Sequence, residues 1–333
     1  MPPTIHDVAK RAKVSAITVS RVVNRSGYVS EETRQRVEIA IKELGYIPNS
    51  VSRSLRLKRT HVIALIVSDI TNPFWTTVTR GVEDACRAQG FSVILCNTDE
   101  QQDKLDEYLR VLLQKRVDGF LVAPTTDHTP ALSSVVEQEV PMVFIDREPP
   151  HVKASVVRGD SEDGAYQLTE YLINLGHRRI AILSGPEKTT TSQQRIAGYR
   201  SAHLAHNMPL DPILVYKGEY NQEHGYHTTR SIFHDVHPQP TAIVAGNSLI
   251  AVGVLRAAYE LGLHVPEQLS VVSFDDLSLH FSPAPFLTVI DQFPHKMGYT
   301  AAELLLDQIK GKETSEEIVL PVKLIIRQSC RAI

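Results

Sequence analysis

Seven short apolar runs, at residues 62–67, 91–95, 119–122, 142–145, 180–183, 242–244 and 269–274, alternate with amphipathic stretches at 77–88, 103–114, 164–175, 194–206 and 249–261. Each run is apolar nearly throughout, broken only by Ser92, Ser270 and Ser273, and none is polar on every second residue, so a strand made from it is expected to be buried on both faces. Strands of that kind lie parallel under helices, because a parallel pair needs a crossover of a dozen or more residues. The pattern therefore predicts an α/β core with two doubly wound parallel sheets, one over about 61–160 and one over about 161–291.

The first 60 residues carry a different composition. They hold 12 Lys and Arg against 5 Asp and Glu, whereas the remaining residues hold 23 against 33. A short basic head on a long acidic body points to a polyanion as the partner of the head. The body has 42% apolar residues in the whole chain to draw on, enough to bury real cores. No apolar run approaches the ~20 residues of a membrane helix, and MPPTIHDVAKRAKV has no apolar signal core, so a cytoplasmic protein with no membrane partner is expected. Cys86, Cys96 and Cys330 lack CxxC spacing and offer neither a disulfide framework nor a zinc site.

Within the head, Thr4 and Asp7 have capping-box spacing, and Ile5, Val8, Ala9 and Ala12 follow at helical intervals. Ser15 is a good N-cap for a second short helix, and Ser30 for a third that stops at Gly45. Two short helices joined by a tight turn and braced by a third make an all-α helix-turn-helix headpiece over residues 1–48. Its second helix is the one a major groove admits. Ala16, Ile17 and Arg21 are its expected exposed base readers, Ile17 toward a thymine methyl and Arg21 toward guanine. Thr4, Ser15, Thr18, Ser20, Asn24, Ser30 and Tyr46 offer groups better suited to phosphates.

The runs TIHDVAKRAKVSAITVSRVVN, VSEETRQRVEIAIKELGYIPN and SVSRSLR closely resemble the head of the LacI/GalR family of transcription regulators, and the likeness continues through VIALIVSDITNPFW, VDGFLVAP, VPMVFIDRE, LGHRRIAILSGP, QQRIAGYR and LSVVSFDDL. The resemblance implies a two-lobe periplasmic-binding-protein-like core, with an N-lobe over 61–160 plus 292–320 and a C-lobe over 161–291 plus 321–333. It also implies a hinge helix and linker over 49–60, in which Leu55 is the minor-groove wedge. It implies a homodimer on a pseudo-palindromic operator, controlled by a small-molecule effector, with a protein corepressor left open as a further partner.

Ligands of doubly wound sheets bind outside the carboxyl ends of the strands. The groups there are Asp69, Asn72, Phe74, Trp75, Arg147, Arg195, Asn247 and Asp275. Carboxylates and amides that bridge hydroxyls, planar guanidinium forks and aromatic faces suit a sugar. Family likeness singles out Arg195 and Asp275, while Ser248 and Phe274 depart from its common pattern. A purine- or metabolite-responsive regulator of the same architecture is the alternative, and a cytoplasmic sugar-binding protein without a regulatory role is another. Asp69 and Asp146 could equally cap helices, and Phe74 or Trp75 could be lobe core. The pairs His203/His206, His224/His227 and His234/His237 are read as exposed surface residues. No catalytic or cofactor motif is found, so no enzyme and no cofactor or metal are expected.

Overall fold

The structure is a computed structural model that describes residues 3–24, 26–47, 59–125, 130–149, 152, 154–277, 285–312 and 316–333. It divides into a head, Met1–Thr60, and a core, His61–Ile333. The expected hinge helix, with Leu55, lies outside the described residues.

The head is three helices, α1 (Ile5–Ala12), α2 (Ala16–Asn24) and α3 (Glu31–Leu44). Thr4 Oγ1 accepts from the Asp7 N–H while the Thr4 N–H donates to Asp7 Oδ2 at 2.8 Å, so the capping box is complete. Ser15 Oγ accepts from the Thr18 N–H, and Ser30 caps α3, which ends at Gly45 with φ 61°. Val8, Val19 and Val37, one from each helix, meet in a small core. A core of that size leaves the caps a large share of the head's stability. Thr4→Ala should cost it about 1 kcal/mol, read as a lower urea midpoint for the head's helical signal with the core's transition unmoved.

In the core, strand and helix alternate as β1 (Val62–Val67), α4 (Pro73–Ala88), β2 (Ser92–Asn97), α5 (Gln102–Gln114), β3 (Gly119–Val122), α6 (Pro130–Glu137), β4 (Met142–Ile145) and β5 (Ser155–Gly159). The second half repeats the scheme with α7 (Ser161–Asn174), β6 (Ile180–Ser184), α8 (Thr190–Ala205), β7 (Val215–Lys217), α9 (Gln222–Asp235), β8 (Ala242–Ala245), α10 (Ser248–Glu260), β9 (Ser270–Phe274) and β10 (Thr288–Asp291). The chain then returns through α11 (Pro294–Ile309), β11 (Glu317–Leu320) and β12 (Lys323–Ile325).

Two six-stranded sheets result, ordered β11-β5-β4-β3-β1-β2 and β12-β10-β9-β8-β6-β7. Every described pairing is parallel except β10 with β12, so the second sheet is parallel-rich and not wholly parallel. Each sheet has an apolar cluster on both faces, which is why its central strands read as unbroken apolar runs. Corresponding strands occupy corresponding places, with β4 third in the first sheet and β9 third in the second. Because the chain enters the first sheet, passes to the second, returns for β11 and leaves again for β12, the two lobes are joined by three strands of chain. Three expectations fail: β2, expected to be buried on both faces, is an edge strand with Ile94 and Leu95 exposed; His224 is half-buried; and His203 is buried, its Nδ1 against the Tyr199 carbonyl and its ring 4.3 Å from the Tyr199 ring.

Candidate functional site

The carboxyl ends of β1, β4, β6, β8 and β9 face one cavity of about 350 Å³ between the lobes. All eight expected effector residues line it: Asp69, Asn72, Phe74, Trp75, Arg147, Arg195, Asn247 and Asp275. Their local chemistry sorts them. Asn72 and Asn247 are N-caps of α4 and α10, and the Oδ1 of each accepts from a backbone N–H, of Phe74 and Ile250 respectively. Asp69 Oδ1 accepts from the Thr71 N–H and hydroxyl, so it shapes the turn into α4. Phe74 and Trp75 are buried in the first lobe's core and still line the cavity, ring to ring edge-on at 5.0 Å. The N-termini of α4, α8 and α10 are all close to the cavity, and their helix dipoles give this side of the cleft a positive bias.

Asp146 and Asp275 are the site's most constrained groups. They occupy matching positions, one residue beyond β4 and β9. Their N–H groups donate to Val157 and Ile290 carbonyls at 2.9 and 3.0 Å, and both backbones are left-handed, with φ 70° and 61°. A buried aspartate in that conformation is held there by its surroundings. Burial raises the affinity of both for a proton, in Asp275 up to about 7, against the opposing pull of Arg195.

Arg147 and Arg195, each 4% exposed, stand beside these carboxylates. Arg195 donates to the Gly246 carbonyl at 2.6 Å and its guanidinium carbon lies 4.1 Å from the Phe274 ring centroid. Arg147 donates through both terminal nitrogens to Glu100, each bond 2.9 Å. Burial works against the Arg147 charge, but Glu100 and Asp146 outweigh it and hold the guanidinium more firmly protonated than usual. The Nε of each arginine is buried without a hydrogen-bond partner among the described residues. So is Oε1 of Gln292, whose Nε2 donates to Asp275 Oδ1 at 2.7 Å.

Sequence reasoning missed Glu100, Gln292 and Tyr220. Tyr220 lies under both guanidinium groups, 5.9 and 5.6 Å from its centroid, where a β-carbon on Gly185 would be 2.1 Å from its ring. The Gly185 of the SGP turn was the available signal.

In the head, Ile17 is 68% exposed and Arg21 is exposed, whereas Ala16 is half-buried against the small core. The first residue of α2 thus helps to close the core and does not project fully. Thr4, Ser15, Thr18 and Ser30 use their hydroxyls in caps, and Asn24 donates to the Ser20 carbonyl at 2.7 Å. Tyr46 is half-buried against the same core.

A basic helix-turn-helix head joined to a two-lobe core with a polar cleft defines a ligand-responsive DNA-binding protein. Residues 4–49 match the family described as bacterial regulatory proteins, lacI family, and residues 60–328 match the periplasmic binding proteins and sugar binding domain of the LacI family. The chain belongs to the LacI family of bacterial transcription regulators. It is 36% identical over 318 residues to the HTH-type transcriptional repressor PurR of Aliivibrio fischeri, covering 95% of this chain and 94% of that one. It is 37% identical over 308 residues to the ribose operon repressor of Escherichia coli, covering 92% and 93%. Its fold matches the lac repressor dimer bound to operator and an anti-inducer with a TM-score of 0.87, at 30% identity and 100% coverage of both chains.

Proposed function

We propose that this repressor binds a pseudo-palindromic operator as a homodimer and answers to a neutral sugar of about pentose size in the interlobe cleft. The observation that carries the reading is the pair of unpartnered buried donors on cavity-lining residues, the Nε groups of Arg147 and Arg195, beside the carboxylates of Asp146 and Asp275. A buried donor or acceptor left alone costs about 1–3 kcal/mol. A polyol answers donors and acceptors at once, because each hydroxyl both gives and accepts. The volume is at the small end of the ~300–1,000 Å³ usual for ligand sites, which suits one sugar ring. Likeness to the ribose operon repressor supports a pentose. Likeness to PurR supports the purine alternative, yet the Tyr220 ring already faces two guanidinium groups, which leaves less of it for stacking a flat base.

On this reading Asp146, Asp275, Arg147, Arg195, Asn247 and Asn72 hold hydroxyls, and Phe74 and Trp75 cover the apolar face. The head spans 1–48, the linker 49–60, the N-lobe 61–160 plus 292–320, and the C-lobe 161–291 plus 321–333. Ile17 and Arg21 read bases, with Ala16 against the groove wall, and Thr4, Ser15, Thr18, Ser20, Asn24, Ser30 and Tyr46 contact phosphates. No helix among the described residues is long and apolar enough to cross a membrane, and the DNA target makes the cytoplasm the place of action. Ligand and operator affect each other through a coupling of ~1–3 kcal/mol.

A thermal-shift screen of the purified chain against pentoses, hexoses, disaccharides, nucleosides and purine bases tests the effector. Ribose at 100 times its Kd should add ~2.7 kcal/mol of stability; stabilisation by purine bases alone would overturn the sugar reading. Leu55→Ala should weaken specific operator binding by about tenfold or more, ~1.4 kcal/mol, with little loss on nonspecific DNA. Equal losses in salt-matched anisotropy titrations on both DNAs would remove the wedge role.

A further inference from the structure

The geometry points to Glu100 as a selectivity residue that makes the cleft admit uncharged effectors and exclude their phosphate esters. This inference rests on reading the cleft as the effector site.

Glu100 lies in the loop between β2 and α5, where Asp99 and Glu100 are consecutive non-glycine residues in the left-handed region, with φ 51° and 58°. Side chains other than glycine adopt that conformation rarely, and two in succession need a compensating interaction. For Glu100 the interaction is visible: both carboxylate oxygens accept from Arg147, at 2.9 Å each. The Arg147 fork, with two parallel N–H donors in one plane, is the shape that otherwise clasps a phosphate or carboxylate in two places. Here it is closed from within the protein. Its third edge faces Asp146, with Nε 3.7 Å from Oδ2.

The other guanidinium is no more available to an anion. Arg195 donates to the Gly246 carbonyl, lies 3.4 Å from the Tyr220 hydroxyl, and stacks on Phe274. Among the described residues lining the cavity, Asp69, Asp99, Glu100, Asp146, Glu219 and Asp275 stand against these two arginines alone. The nearest lysine to this loop, Lys104, is paired with Asp99. A phosphate dianion entering the cleft would lose its hydration and meet more carboxyl groups than guanidinium groups, with no open guanidinium fork to receive it and only the N-terminal N–H groups of α4, α8 and α10 in its favour. A neutral polyol loses far less and can give its hydroxyl protons to those same carboxylates. The charge of Glu100 therefore serves rejection as well as positioning: without it, Arg147 would be the strongest anion site in the core.

The test uses the full-length chain and matched pairs: ribose with ribose 5-phosphate, glucose with glucose 6-phosphate, and adenosine with its 5′-monophosphate. Isothermal titration is run on wild type, Glu100→Gln and Glu100→Gly, the glycine variant also relieving the left-handed backbone. Within the pair that binds, the neutral member should be at least about 100-fold tighter in wild type, and either variant should narrow that ratio by roughly tenfold or more. An arm that needs no effector titrates orthophosphate by thermal shift, with a saturable shift expected in the variants and none in wild type. A wild-type preference for any ester over its parent, an unchanged ratio in both variants, or an orthophosphate response that does not differ between wild type and variants would overturn the inference. Binding of adenosine or glucose instead of ribose would end the pentose reading and leave the charge selectivity standing, because the ratio is measured within each pair.

Discussion

Arg195→Ala should abolish the effector response while leaving the head's affinity for operator DNA intact. Three interactions go at once: the 2.6 Å bond to the Gly246 carbonyl, the stacking on Phe274, and the charge that offsets Asp146 and Asp275. Truncating one member of a buried, hydrogen-bonded charge cluster costs about 2–5 kcal/mol in binding, so the affinity for ribose should fall by ~30-fold at the least. Arg195→Lys should rescue little of it, because a point charge on a flexible stem cannot both reach the carbonyl and stack on a ring. Titration calorimetry gives the affinity, and fluorescence anisotropy of labelled operator with and without ribose gives the response. Wild-type affinity in Arg195→Ala would show that the guanidinium only supports the second lobe, and the cleft would lose its central donor.

That Arg195 could be named from the sequence, whereas Glu100 could not, reflects how each is placed. Arg195 is on a helix that follows a buried strand, and Asn72, Asn247 and Asp275 likewise sit one to five residues beyond apolar runs, where a doubly wound sheet presents side chains to a ligand. Position relative to a strand end is local information. Glu100 reaches Arg147 across 47 residues, and Gln292, just beyond β10, reaches Asp275, just beyond the neighbouring β9, across 17. Nothing in the composition of either segment announces those pairings. The fold was legible for the same reason where strands are buried on both faces. It was less so for β7, β11 and β12, short edge strands at the rims of the sheets whose residues are mostly half-exposed. Nor did periodicity reveal that β12 runs against its neighbour, since three half-exposed residues at a sheet edge carry no pattern that marks strand direction. In the head, spacing placed the caps, but whether Ala16 projects or packs depends on how α2 is rotated against α1 and α3. That is a tertiary fact.

Asp275 should give the core a pH dependence opposite to the usual acid destabilisation. Burial raises its proton affinity first, with Asp146 and Asp291 adding to the effect and Arg195 and Gln292 opposing it, and the balance puts its pKa at about 7, above the 3.8 of an ordinary aspartate. Between those values the folded chain holds a proton that the unfolded chain does not, so stability falls as pH rises through the window and levels off above 7. The buried histidines His177 and His203 and the half-buried His224 act in the other direction, because burial lowers their pKa and the unfolded chain takes up protons below about 6.5. The two contributions separate in a difference measurement. Comparing wild type with Asp275→Asn by urea melts at pH 5.5 and pH 8 cancels the histidines and leaves about 2 kcal/mol from the aspartate, with wild type the relatively less stable at pH 8. The effector should see the same group. If a sugar hydroxyl donates to ionised Asp275, binding releases a proton, and affinity should rise about tenfold from pH 6 to pH 8. Calorimetry in buffers of different ionisation enthalpy would count that proton, and Asp275→Asn should flatten the profile. A wild-type affinity independent of pH over that range, with no proton released, would mean that Asp275 is already ionised in the empty cleft by Arg195, and that ligand binding leaves its charge unchanged.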